Sequence, residues 1–409
     1  MAFSSKTNQL TGGSSTGNLA STDPGFQPKA LFTFAGLQTS DGAATDAQWS
    51  LGVSDGTNTR SAGWNSDHNT ASSDVTRYFS STEQLRLMTA GSITANVTST
   101  LTSLDATGFT QNWTTLTTTS PKYNYLALGG SDLSNAKVGS FSANVSTGNQ
   151  SVTGLGFQPD IVFLFVTLQT AAGSSNNNSQ YCFGVMHSSG QWVMGGKAQQ
   201  NQATMNTSRF FQNDRCAIVQ ATVANTYVWE ASYVSMDSDG FTINIVTTDG
   251  SAFLIGYLAI KGGQWKVGTD TQKTSTGTKD ITGIGFTPSG AIFGSVCGTT
   301  TAGANDHYRM SFGVSTGTSN NTALFAGDQD AAANAIASTI MSSTKCLVMG
   351  TENGATPTTN AEAAVSAMSN GTLTLNWTTA DATARVFGYV IWGDNAAPAT
   401  DYGDFFRMF

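Results

Sequence analysis

Residues Gly156 to Thr170 read GFQPDIVFLFVTLQT: a glycine and a proline that turn the chain, then a short run that is apolar on both faces. The same phrase stands at Gly25 to Thr39 as GFQPKALFTFAGLQT and, further diverged, at Gly285 to Thr299 as GFTPSGAIFGSVCGT. Proline fixes its own φ and holds the preceding residue extended, which suits the start of a strand. An apolar run of strand length, without alternation, belongs in the middle of a sheet. The phrase therefore reads as a turn and a central strand, written three times.

Other phrases keep step with it. QWSLGVS at Gln48 is matched by QYCFGVM at Gln180 and RMSFGVS at Arg309. GFTQNWTT at Gly108 returns as GFTINIVTT at Gly240 and GTLTLNWTT at Gly371, and NYLALGG at Asn124 as GYLAIKGG at Gly256 and GYVIWGD at Gly388. The interval is about 130 residues each time, which is the size of a domain and far longer than a solenoid repeat. Phe241, Ile243 and Ile245 alternate with polar residues, as do Leu373, Leu375 and Trp377, the two-residue period of a strand with one buried face. Gly, Asn, Asp and Ser clusters interrupt the chain about every ten residues, the rhythm of an antiparallel sandwich. The Ala-rich stretch Asp328 to Ser343 favours helix by propensity, but its second half falls where the other copies carry extended segments, and the repeat assigns it to a strand.

The expected fold is all-β: three tandem, self-contained antiparallel β-sandwich domains, jelly-roll-like, of about 130 residues each. The divisions are 1–22 as a flexible N-terminal arm, 23–132, 133–262 and 263–395 as the copies, and 396–409 as an aromatic tail. KVGSF at Lys137 and KVGTD at Lys266 mark the first strands of copies two and three. The first copy has instead the Gly/Ser/Thr/Asn-rich segment from Ser4 to Thr22, whose composition reads as an arm.

Composition narrows the function. Only 11% of the 409 residues are charged, the net charge is -8 from 26 acids and 18 bases, and no Lys/Arg run occurs. That excludes a nucleic-acid footprint. The N-terminus lacks a charged segment followed by an apolar one, and no apolar run is long enough to span a bilayer as a helix, so a cytoplasmic chain without secretion signal or membrane insertion is expected. Cys182, Cys216, Cys297 and Cys346 are too scattered for a disulfide framework or a zinc site, and are expected to be reduced and buried.

No motif carries catalytic chemistry well. GSSTG at Gly13 has the spacing of a nucleophile elbow but polar flanks where a buried strand and a helix are required. GLGFQP has Pro159 where a dinucleotide fingerprint needs its third glycine. DSDG at Asp237 reads as a hairpin turn, because its counterparts DATG at Asp105 and MSNG at Met368 share only the glycine. His68, His187 and His307 have no partners at ligand spacing. No acidic position recurs in all three copies, so glycoside hydrolysis has no repeated carboxylate pair. What recurs is Gly, Phe, Pro, alternating apolar residues and Thr/Asn, a scaffold set. No enzyme activity, metal or cofactor is expected.

The phrases GFQPD, DGFTINIVTT and YLALGGSDLSNAKVGSF resemble β-sandwich repeats of structural proteins in tailed bacteriophages, over residues 20 to 395. The resemblance implies a virion protein, head-surface, tail or fibre, assembled in the host cytoplasm with other virion proteins and as a homo-oligomer. Repetition would then lengthen a projection or cover a lattice surface. Phe405, Phe406, Met408 and Phe409 are the candidate assembly contacts, packing either on their own domain or on a neighbour. The alternative is a receptor-binding fibre or spike module for host-surface glycan, with Trp64 and Trp192 as the sugar-stacking residues.

Overall fold

The computed structural model describes residues 2–352 and 356–394. Among these residues there are strands and turns and no helix. The first copy contains β1 (Phe3–Thr11), β2 (Gly17–Ser21), β3 (Pro28–Ala35), β4 (Gly42–Thr45), β5 (Ala47–Ser54), β6 (Thr59–Ser66), β7 (Val75–Ser80), β8 (Leu85–Met88), β9 (Ala95–Asp105), β10 (Gly108–Leu116) and β11 (Lys122–Gly130). The order repeats from Leu133 to Gly262 and from Gln264 to Gly393. In each copy a large sheet, ordered β1-β11-β3-β5-β6-β7 in the first, faces a small one, ordered β2-β10-β9-β8.

The opening phrase holds its assigned place. Gly25, Gly156 and Gly285 all take positive φ, of 76°, 81° and 89°, a conformation that favours glycine. The following strand, Ile161–Val166 in the second copy, is buried throughout and lies between Ser179–His187 and Leu254–Gly262. The DSDG segment is a hairpin turn, with Asp237 accepting hydrogen bonds from Ser235 and Thr242. The Ala-rich stretch contributes the strand Ala337–Ser342, so the repeat overrides helix propensity there.

Two expectations need correction. Ser4 to Thr22 is not an arm: β1 pairs with β11 over nine residues, from Phe3↔Gly130 to Thr11↔Lys122, and β2 pairs with β10. Its polar composition suits edge strands, and β1 also faces the third copy. The Thr7 hydroxyl, fully buried, donates to the Tyr125 carbonyl and contacts the Thr322 hydroxyl of the third copy. Nor are the copies self-contained. The seventh strand of each large sheet comes from the next copy in a cycle: Ser174–Asn177 completes the first copy's sheet, Ala304–Asp306 the second's, and β4 the third's.

The cycle closes the copies into a ring with a filled centre. Along β5, Ala47, Trp49, Leu51 and Val53 point one way, and their counterparts are Tyr181, Phe183 and Val185, then Tyr308, Met310, Phe312 and Val314. All belong to one buried cluster shared by the three copies. Phe183 meets Phe312 edge-on at 5.1 Å and Trp49 meets Tyr181 at 5.9 Å. The alternate residues of the same strand line its own sandwich; Cys182 and Met186 pack there against Cys216 to Val219 of the small sheet. This strand is thus buried on both faces for two different reasons, and repetition here builds a three-lobed block in place of a string of domains.

Candidate functional site

The features that recur at all three junctions between copies are side-chain clasps. The residue after each exchanged strand is left-handed: Asp46, Asn178 and His307, with φ of 67°, 63° and 65°. Asp, Asn and His are among the few non-glycine residues that tolerate this region. Each also accepts a backbone N–H from its own copy, Asp46 Oδ1 from His68, Asn178 Oδ1 from Gln200 and His307 Nδ1 from Asp330, at 2.8, 2.8 and 3.0 Å. The side chains of those same partners reach across to the neighbouring copy. His68 Nδ1 accepts from Ala337 N, Gln200 Oε1 from Val75 N and Asp330 Oδ1 from Thr207 N. Six positions, filled by Asp, Asn, His and Gln in no fixed order, do one acceptor's work, which is why their sequences hide the equivalence.

Two further systems repeat. A hairpin tip of each copy accepts an N–H from the first strand of the next: Asp55 from Val138, Ser189 from Val267, Thr316 from Thr7. At the loops 67–74, 199–206 and 329–336, paired backbone bonds link each copy to both others, for example Asn69 N to Ala335 O at 2.8 Å and Asn201 N to Ser73 O at 2.7 Å. Arg77 donates to the carbonyls of Asn177 and Asn178 and to Gln180, and Arg209 to those of Asp306 and His307. At the third junction Thr339 stands in their place and donates to Asp46 O at 2.7 Å.

The third copy holds the most unusual electrostatics. Arg309 binds Glu352 through three hydrogen bonds of 2.8 to 3.1 Å, and the Glu352 side chain has no exposure. Burial works against the Arg309 charge, and the hydrogen bonds and charge of Glu352 outweigh it, so its pKa is raised. His307 lies 3.5 Å from Glu352, but its Nδ1 already accepts an N–H and burial lowers its pKa, so this contact is no ion pair. Asp328 is fully buried, with Oδ2 accepting from Ser66 of the first copy. Burial, opposed by the Ser66 bond and aided by the charges of Glu352 and Asp330, pushes it up to about 8.

A carboxyl whose folded pKa lies above its unfolded one keeps a proton that the unfolded chain has lost. Stability therefore falls as pH rises from about 4 to about 8, by about 1.4 kcal/mol per pH unit at most, and levels off above. Asp328→Asn removes this loss while keeping an acceptor for Ser66. The variant is expected to melt at the wild-type temperature at pH 4 and above it at pH 8, measured by calorimetry; a lower melting temperature at pH 8 contradicts the assignment.

Neither sequence-assigned sugar-stacking residue reaches solvent. Trp64 is fully buried and stacks on Tyr308 with centroids 4.0 Å apart. Trp192 is fully buried, donates its indole N–H to Tyr389 O, and sits against Gly294 and Gly388, where an added Cβ would come within 2.8 and 2.6 Å of the ring. Flatness and size made them candidates on paper; the ring closure places them between copies. Trp192→Ala is expected to cost about 3–5 kcal/mol by opening a cavity at the second junction, read as a lower urea midpoint.

The remaining assignments fall as follows. Phe405, Phe406, Met408 and Phe409 lie outside the described residues. The four cysteines are free and buried, and burial pushes the Cys182 thiol up to about 12. Among the described residues no group of three His, Cys, Asp or Glu side chains could hold a metal ion. Burial, then the charge of the neighbouring Asp46, raises Asp67 to about 6. A groove of about 630 Å³ is open and polar, and lies between the first two copies beside Lys29, Asp55 and Asn135.

No protein-family model matches the chain. No curated protein matches it either.

Proposed function

We propose that this chain is a non-enzymatic structural protein of a tailed-bacteriophage virion, a three-lobed block that decorates or projects from the particle and acts in its assembly or stabilisation. One observation carries the reading: the features that recur in all three copies, the left-handed acceptors, the hairpin tips and the loop clasps, are consumed in holding copies together. A site that worked in each copy would repeat its reactive groups in a cleft; here the repeated polar groups are engaged in the junctions. The phage-repeat phrases supply the virion context, and the low charge of the chain suits a surface packed against other proteins. The glycan-binding alternative has lost Trp64 and Trp192, the two residues that favoured it.

The test is to purify intact particles from hosts carrying the gene, identify their proteins by mass spectrometry and locate this chain by electron cryomicroscopy. A stoichiometric component with three-lobed density is expected. Absence from particles while the chain is abundant in the lysate would overturn the reading.

A further inference from the structure

A linear chain with three copies has two covalent links and three junctions. The first junction is crossed by the backbone between Gly130 and Leu133, and the second between Gly262 and Gln264. At the third, between copies three and one, no backbone link crosses among the described residues, and the Phe3 N–H donates to Asp394 Oδ1 at 2.7 Å. We propose that this third junction is where the ring opens, and that an opened chain takes up the first copy of a second molecule there, forming a closed pair of rings or a head-to-tail chain.

Two side-chain differences single out the same junction. The guanidinium clamps of Arg77 and Arg209 are reduced there to the one hydroxyl of Thr339. The fully buried Asp328 carboxyl faces Ser66 across it, with the acidic side chains of Glu352 and Asp330 nearby. Burying a carboxyl against other acidic groups disfavours closure, and separating the copies rehydrates it.

What closes the junction is specific. β4 pairs with Ala337–Ser342 from Gly42↔Met341 to Thr45↔Ser338. Thr7 N donates to Thr316, Lys6 to Asn320, and Ser343 N to Asp41. Each chain carries both halves, one in copy one and one in copy three, and the halves differ, so the contact is heterologous. The same bonds form between two molecules as within one, which is the condition for domain swapping. Closure within one molecule wins at low concentration, because tethering gives the partner an effective concentration in the millimolar range.

Hydrogen exchange on the intact protein reads the opening directly. Amides of residues 42–45 and 338–341 are expected to exchange at least about tenfold faster than those of 174–177 and 76–79 at the first junction, since opening there exposes no other sheet. Equal or slower exchange would overturn the proposal. Partner uptake is tested by holding concentrated protein just below its melting temperature, cooling it, and measuring mass by light scattering after size exclusion. Dimers or larger species are expected from wild type and from reduced Thr45→Cys/Ser338→Cys, and monomer alone from that variant oxidised. An oxidised control at the first junction, Thr76→Cys/Asn177→Cys, should still associate. Association of the locked third junction, or none from wild type, would refute uptake through this seam.

Discussion

Gly184→Ala is expected to destabilise the protein by roughly 3 kcal/mol or more, with a fall in the urea midpoint as the readout. A Cβ at this position would lie 1.8 Å from the backbone oxygen of Cys216 in the facing small sheet. Backbone cannot rotate aside as a side chain can, so the two sheets must separate and loosen the packing of Cys182, Met186 and Ala217 around the site. The same approach occurs at Gly52, 1.7 Å from Gln84 O, and at Gly313, 2.1 Å from Cys346 O. These are the glycines of LGVS, FGVM and FGVS. Equivalent substitutions at all three should each cost a similar amount, whereas Gly156→Ala, which has no atom within 4 Å of its Cβ, should cost only the strain of its positive φ, about 1 kcal/mol. A tolerated Gly184→Ala, within about 0.5 kcal/mol of wild type, would contradict the packing described.

Glu352→Ala is expected to cost about 3–5 kcal/mol, because it strands the Arg309 guanidinium in a buried site with Arg209 nearby. The paired change Glu352→Met with Arg309→Met should recover most of the loss, since apolar groups of similar volume carry no desolvation penalty for a buried charge or amide. A double-mutant cycle in denaturant separates the two outcomes. Coupling near zero would mean that the ion pair contributes nothing beyond packing.

Much of this architecture is legible in the sequence. The Gly-Phe-x-Pro phrase located a turn and a central strand three times over, and the step of the repeats put Ala337–Ser342 in a sheet against its helix propensity. Alternation in GFTINIVTT identified a half-buried strand, because such a strand has one wet face. By contrast QWSLGVS carries apolar residues on one face and Gly, Ser and Gln on the other, and nothing local says that both faces are covered. The junction residues were the least legible: Asp46, Asn178 and His307 share a backbone conformation and an acceptor atom but no residue type. Their only trace is that each belongs to the short set that tolerates the left-handed region.

The sequence by itself determined the all-β class, the threefold repetition and the turns, because periodicity, proline and glycine act through local backbone geometry. Only the tertiary structure decided that the copies exchange strands and share a core, that β1 is a sheet edge, and that Trp64 and Trp192 are interior. Those outcomes depend on which surface covers which. An apolar face states that it must be buried, and leaves open whether its own sandwich or its neighbour does the burying.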